Sequence, residues 1–296
     1  MASLGTPTLD QLQVLLAVVE AGSFAAAARR LNRATSAVTY AIDNLEAQLG
    51  LALFDRVATR KPSLTPAGRA VLTEARAVAR GVDLLRARVQ GLLEGLEPEV
   101  SLVVDVMLPT ARLVDALQAF QAEFPSVPLR LHVEGLGAVA QLVLDGTAML
   151  GVGGPLTTAL SLERTWIGGV RLVPVAAPFH PLAGRRGPAA EAARDHIQLV
   201  LTDRSPLTQG RDFGVFARRT WRLADLGAKH ALLLAGVGWG SMPDPVVRGD
   251  IEASRLVELD LGDWRDAVYM MNAIHRGDRP PGPATRWLIE RFAGQA

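Results

Sequence analysis

The sequence predicts an α/β chain in three parts: a small all-α module finished by a hairpin, one long helix, and two α/β lobes. Three observations carry this. The first sixty-odd residues hold short helix-period stripes joined by tight connections. An apolar seam then runs unbroken through more than three heptads. From Glu99 onward, apolar runs of strand length alternate with amphipathic helices, the order that builds doubly wound sheets. A chain of 296 residues has room for two or three such parts.

Thr8-Leu9-Asp10-Gln11 opens the first helix as a capping box, in which each end residue satisfies a backbone amide at the other. Leu12, Leu15, Leu16 and Val19 form its stripe, and Ala21-Gly22 ends it. Ser23 caps a short second helix, Phe24 to Leu31, with small Ala27 and Ala28 where two backbones can meet. Asn32-Arg33-Ala34 is a turn. A third helix runs to Leu49-Gly50, with Val38, Ile42, Leu45 and Leu49 inward and Thr35, Ser36, Thr39, Tyr40 and Asp43 on the other face. Two helices joined by three residues is helix-turn-helix geometry, although a plain three-helix bundle has the same spacing. Next come Leu51–Phe54 and Ser63-Leu64, read as a hairpin whose tip carries Arg56, Arg60 and Lys61. A basic wing directly after such a pair of helices is well placed for backbone phosphates.

Thr65-Pro66 is a helix start. Val71, Ala75, Val78, Val82, Leu85, Val89, Leu92 and Leu96 follow at alternating spacings of four and three, a narrow coiled-coil seam. Gly81 and Gly91 weaken this helix by about 1 kcal/mol each relative to alanine, which calls for a partner along the seam. A long helix packed on its own domain is the alternative. Val78, Val82, Leu85, Val89 and Leu92 are the expected dimerisation residues.

In the remainder, strands are expected at Val100–Val106, Leu129–Val133 (Leu129, Leu131 and Val133 inward), Ala148–Val152, Arg171–Ala177, Ile197–Thr202, Leu256–Leu259 and Ala267–Ile274. Helices are expected at Thr110–Phe124, from about Ala138 to Asp145, near Pro188–Arg194, and at Ala224–Ala235, Pro245–Gly249 and Pro283–Phe292. The divisions are 1–65, 66–97 and 98–296, with one lobe at about 98–162 and 267–296 and the other at about 163–266.

Composition narrows the function. Apolar residues make up 49% and charged ones 21%, which excludes a disordered polyelectrolyte. Cysteine is absent, which removes thiol nucleophiles and Cys-based zinc sites. Residues 1–96 carry eleven Lys and Arg against eight Asp and Glu, and the rest of the chain twenty against twenty-two. The five histidines form no metal-binding pair, there is no Gly-x-Ser-x-Gly elbow, and no two carboxylates stand out as acid and base. Gly236-Val-Gly-Trp-Gly240 lacks the context of a dinucleotide site and suits close approach of a helix end to a sheet. The expectation is therefore no enzyme, no metal and no cofactor. Without a basic, apolar leader or a membrane-length apolar run, a cytoplasmic protein with no membrane partner is expected.

Gly22-Ser-Phe24, Ala27-Ala28, Leu31, Ala37-Val38, Ile42, Leu45-Glu46, Leu49-Gly50, Leu53-Phe-Asp-Arg56 and Leu64-Thr-Pro-Ala-Gly68 occur in order. In these residues the chain resembles the LysR-type transcriptional regulators. His180-Pro181-Leu182, Ala235 to Pro243 and Pro283 to Ile289 extend the likeness to nearly the whole chain. The resemblance implies a winged helix-turn-helix, a dimerising linker helix and a two-lobed effector domain similar to periplasmic binding proteins. Ala34 and Thr35 stand where members commonly carry serine then glutamine, Tyr40 replaces a frequent basic or amide residue, and Met149 replaces a usual aspartate.

The resulting expectation is a ligand-responsive regulator. Thr35, Ser36, Thr39 and Tyr40 face bases of double-stranded DNA with paired half-sites, and Arg33, Arg56, Arg60 and Lys61 hold phosphates. The protein is expected to be a homo-oligomer, dimer or tetramer. A small organic effector lies between the lobes at the strand ends: Met107, Pro109, Thr110, Gly151, Gly153, Thr202, Asp203, Arg204, Trp239 and Met242. Thr110 at a helix start and Arg204 meet its polar head, and Met107, Trp239 and Met242 its apolar or aromatic body. The alternative is a two-lobed small-molecule-binding protein or enzyme whose first helices serve only association.

Overall fold

The capping box of the first helix forms as its residues require. Gln11 N donates to Thr8 Oγ1 at 3.2 Å while Thr8 N donates to Gln11 Oε1 at 2.8 Å, opening α1 at Leu9–Ala21, which ends on left-handed Gly22. In this computed structural model, residues 5–55, 62–155, 162–184, 190–262 and 267–294 are described. The chain makes two units, 1–91 and 92–296.

In the first unit, Ser23 Oγ accepts from Ala26 N at 3.1 Å and starts α2, Phe24–Arg30. Asn32 takes a positive φ of 52° in the turn, a conformation asparagine tolerates. The third helix, α3, spans Thr35–Leu49. Its Val38, Ile42 and Leu45 are buried against Ala27 and Ala28 of α2 and Val14, Leu15 and Val18 of α1. The inward face of α1 is thus centred on Val14, Leu15 and Val18 rather than on the expected stripe, whose Leu12, Leu16 and Val19 flank that centre.

Two short strands follow, β1 (Phe54–Asp55) and β2 (Ser63–Leu64), paired antiparallel as Phe54↔Leu64 and Asp55↔Ser63. Their base is stapled to α3 by the Glu46 carboxylate, which accepts from Leu53 N at 2.6 Å and Phe54 N at 3.1 Å. Thr65 Oγ1 accepts from Gly68 N and starts α4, Pro66–Leu93. A Cβ on Gly68 would lie 2.1 Å from the Leu53 carbonyl oxygen, so the helix approaches the hairpin as only glycine permits. Gly68→Ala is therefore expected to destabilise this unit by about 2 kcal/mol and to weaken DNA binding in step. Far-UV circular dichroism melts of the full chain check this, and an unshifted first transition would refute it.

The second unit is built on β3 (Val100–Asp105), α5 (Thr110–Glu123), β4 (Leu129–Glu134), α6 (Gly137–Leu144), β5 (Leu150–Gly153) and β6 (Leu162–Ala176). There follow α7 (Ala190–Ala193), β7 (Gln198–Leu201), β8 (Thr220–Leu223), α8 (Leu226–Leu234), β9 (Trp239–Pro243), α9 (Asp244–Glu252), β10 (Val257–Glu258), β11 (Val268–Arg276) and α10 (Pro283–Ala293). Strand order is β4-β3-β5-β11-β6-β9-β7-β8, with β10 beside β6. Strands β4, β3 and β5 are mutually parallel, as are β8, β7 and β9, while β6 and β11 run antiparallel to their neighbours.

One lobe closes around Val100, Leu102, Val104, Phe120, Leu150 and Phe292. The other closes around two clusters, one containing Trp239 and the other Val173, Leu199, Leu233 and Met242. The strand β6 serves both, pairing with β11 through residues 162–171 and with β9 through 172–176. It begins nine residues before the expected Arg171, because Gly168, at φ 99°, and Gly169 interrupt the apolar pattern without ending the strand. Two strands the pattern did not register are β8 and β9. Leu131 and Val133, expected inward, are exposed: β4 is the sheet edge, and among the described residues that face is not covered. Among the described residues no helix is long and apolar enough to cross a membrane.

Candidate nucleic-acid interface and ligand cleft

Helix α3 is held by one face and offers the other. Thr35, Ser36, Thr39 and Tyr40 are exposed, Tyr40 at 69%, directly opposite buried Val38, Ile42 and Leu45. Arg33, expected on phosphate, has its guanidinium bound by both oxygens of Asp10 at 2.6 and 2.9 Å. That pair pins the turn to α1 and holds the Asp10 carboxyl below its ordinary pKa. The corresponding expectations for Arg56, Arg60 and Lys61 lie outside the described residues.

In the second unit a cavity of about 560 Å³ opens between the lobes. From the first lobe it is lined by Met107, Leu136, Val268 and Tyr269, and from the second by Gln198–Leu201, Arg211, Phe213, Lys229 and Ser241. A volume of this order suits a small organic molecule. Two more polar depressions, of about 630 and 400 Å³, share Thr202, Asp203 and Arg204.

The first-lobe wall is organised by Asp105, the last residue of β3 and 1% exposed. Its carboxylate accepts from Met107 N at 2.9 Å, Leu136 N at 3.2 Å and Tyr269 Oη at 2.8 Å. All three donors belong to cleft-lining residues. Burial raises the Asp105 pKa from 3.8 to about 6, against the pull of those hydrogen bonds, while burial and the Asp105 charge together push the Tyr269 phenol up. Leu136 sits at φ 51°, ψ −122°, a region that costs a non-glycine residue about 1–3 kcal/mol and that surrounding contacts must enforce. Gly154 makes room for the phenol: a Cβ there would lie about 2 Å from the Tyr269 ring.

Of the residues expected to meet an effector, Met107 lines this cavity. Asp203 is already engaged across the lobes, accepting from Ala138 N in the first turn of α6 at 2.8 Å and from the Thr208 hydroxyl. Thr202 and Arg204 face the polar depressions. Pro109 and Thr110 start α5 outside the cavity lining, with Thr110 exposed. Trp239 and Met242 correct the expectation outright. Trp239 is packed with Ala176, Leu182 and Leu259 and donates from Nε1 to Ala193 O at 3.0 Å, and Met242 is enclosed by Val173, Leu199 and Val247. They lie on opposite faces of β9, and both faces of that strand are covered. Gly151 is likewise a packing residue, with Ile274 and Val143 side chains where a Cβ would stand, and Gly153 is buried in β5.

A family model described as the LysR substrate binding domain matches residues 93–296. A second, described as the bacterial regulatory helix-turn-helix protein of the lysR family, matches residues 9–69. The chain belongs to the LysR family. It is 27% identical over 292 residues to the HTH-type transcriptional regulator AceR of Acinetobacter baumannii, covering 95% of each chain. It is 29% identical over 280 residues to the HTH-type transcriptional activator AllS of Salmonella typhimurium, covering 90% of this chain and 88% of AllS. Among solved structures it resembles an OxyR variant of Corynebacterium glutamicum, with TM-score 0.55, 20% identity and coverage of 98% of this chain and 92% of that one. A full-length BenM variant gives TM-score 0.53 at 22% identity, covering 96% and 94%. This LysR-type protein is accordingly a DNA-binding transcriptional regulator with an effector-binding domain, not an enzyme.

The expectations for this LysR-type regulator passed over Asp105, Leu136, Tyr269 and Lys229 in the cleft. Two of them had a signal. Asp105 ends an otherwise apolar strand, and Lys229, one of only two lysines, interrupts an apolar helix. A charged residue where the pattern demands an apolar one marks a group that the fold must accommodate for a reason.

Proposed function

We propose that this regulator binds a small organic effector in the 560 Å³ cleft and reads paired half-sites in duplex DNA through two copies of α3 held together by α4. The reading is carried by α3, whose buried side anchors it and whose exposed side presents hydroxyls and a phenol, groups that hydrogen-bond to base edges in the major groove. Thr35, Ser36, Thr39 and Tyr40 face bases, and Arg56, Arg60 and Lys61 hold phosphates; Arg33 adds to these only by exchanging Asp10 for a phosphate. The seam of α4 supports a homodimer, and the uncovered Leu131–Val133 face of β4 a further association to a tetramer. As a regulator of transcription it acts in the cytoplasm, beside the chromosome. Effector and DNA are linked, so each alters the other's affinity by the same factor.

A gel-shift series across salt concentrations tests the DNA half. Each lost phosphate contact lowers the log–log salt slope by about one unit, so Arg56→Ala with Arg60→Ala should lower it by about two per subunit, about four for a dimer on paired half-sites, and weaken binding throughout. Unchanged affinity and slope would remove the wing from the interface.

A further inference from the structure

We propose that the effector is a small carboxylic acid with an apolar body, and that Lys229 at the inner end of the cleft receives its carboxylate. The proposal rests on the cleft being the effector site and adds its ligand class and charge partner. Lys229 lies on α8, is 3% exposed and lines the cavity. Its Nζ donates to Ser241 O at 2.7 Å, which leaves two of its three N–H groups for another acceptor. Burial depresses its pKa, to about 8, and among the described residues no carboxylate opposes the effect. Three described acids of this unit are engaged with other groups. Asp105 holds Met107, Leu136 and Tyr269, Asp203 caps α6, and Asp250 pairs with His230 and Arg255.

The strand beneath is shaped for this side chain. A Cβ on Gly240 would lie 3.1 Å from Lys229 Cε and 2.7 Å from Leu199 O, so β9 carries no side chain where the lysine stem crosses it. Leu136, Leu172, Val268 and Tyr269 supply apolar walls, and exposed Arg211 stacks over Phe213 at 5.2 Å. A buried ammonium without a counter-charge is costly, and a partner anion offsets that cost. An acid bound here makes a charge-assisted hydrogen bond at the closed end of the cleft while its hydrocarbon displaces water from the walls. The charge receptor is therefore Lys229 rather than Thr110 and Arg204, which lie outside this cavity's lining.

The test uses the full chain and defined probes: benzoate, phenylacetate, cinnamate, hexanoate and octanoate, each beside its primary amide, at neutral pH. At least one acid should raise the thermal midpoint while its amide does not. Lys229→Met should weaken that acid about ten- to a hundredfold, the worth of a hydrogen bond to a charged group. Because Lys61 and Lys229 are the only lysines, 15N-lysine labelling adds a readout that needs no foldable Lys229 variant. Lys61→Arg identifies its own Nζ signal, and the bound acid should move the other. Amides that bind as well as acids, no shift with any acid, or an unmoved Lys229 signal on binding would overturn the proposal. Wild-type protein that shifts DNA yet takes none of these acids loses the ligand class alone, whereas failure to bind DNA strikes the regulator reading.

Discussion

Leu85→Asp is expected to convert the assembled regulator into species of lower mass in sedimentation velocity. Helix α4 is 28 residues long, about 42 Å at 1.5 Å per residue. Beyond Ala75, which packs into the first unit's core, its apolar residues are left to solvent: Val78, Leu85, Val89 and Leu92 are exposed, Leu85 at 60%, and Val82 is half-buried. The heptad spacing puts these residues on one stripe, which a second copy of the helix would cover. An aspartate in the middle of that stripe leaves an unpaired carboxylate in an apolar seam, a penalty of several kcal/mol, and two-fold symmetry applies it in both copies. Loss of DNA affinity should accompany the change, since one recognition helix grips only one half-site. An unchanged mass would return the helix to its alternative role, packed within its own chain.

Asp105→Ala should strongly destabilise the second unit. It orphans Met107 N–H, Leu136 N–H and the Tyr269 hydroxyl together, each at about 1–3 kcal/mol, for a loss of about 3–9 kcal/mol. All five tryptophans lie beyond residue 165, so urea unfolding followed by tryptophan emission reports this unit specifically. A loss below about 1 kcal/mol would show that the carboxylate does not organise the wall.

Asp105 also sets a pH dependence of definite sign. Its folded pKa of about 6 stands above the ordinary 3.8, so the folded protein binds this proton more tightly than the unfolded chain. That stabilisation is fully present below about pH 4 and is lost as pH rises through about 6, amounting to about 3 kcal/mol. Other carboxylates titrate as well, so the diagnostic quantity is wild-type stability minus that of Asp105→Asn. The difference should fall by about that amount between pH 4 and 7; a flat difference would contradict the assignment.

What the sequence determined by itself is whatever depends on residues within about four positions of one another. Thr8 with Gln11, Ser23, Thr65-Pro66, and Gly22 and Gly50 mark helix ends through local hydrogen bonds and left-handed turns. Val38, Ile42 and Leu45 mark the anchored side of α3, and so its free side, through the helical period alone. These features make the helix-turn-helix, the long helix and the alternation of the lobes legible in the sequence. The tertiary structure decided the cleft. Asp105 and Tyr269 meet across 164 positions, and Lys229 reaches a carbonyl of the neighbouring strand over Gly240. Trp239 and Met242, apolar residues beside a glycine-rich turn, are equally good as ligand walls or as core; only the separate clusters packed on the two faces of β9 bury them. Alternation in β4 likewise separates its two faces but does not say whether anything covers Leu131 and Val133, and among the described residues both are exposed. Periodicity records which side chains share a face, whereas burial depends on what the rest of the chain brings against that face.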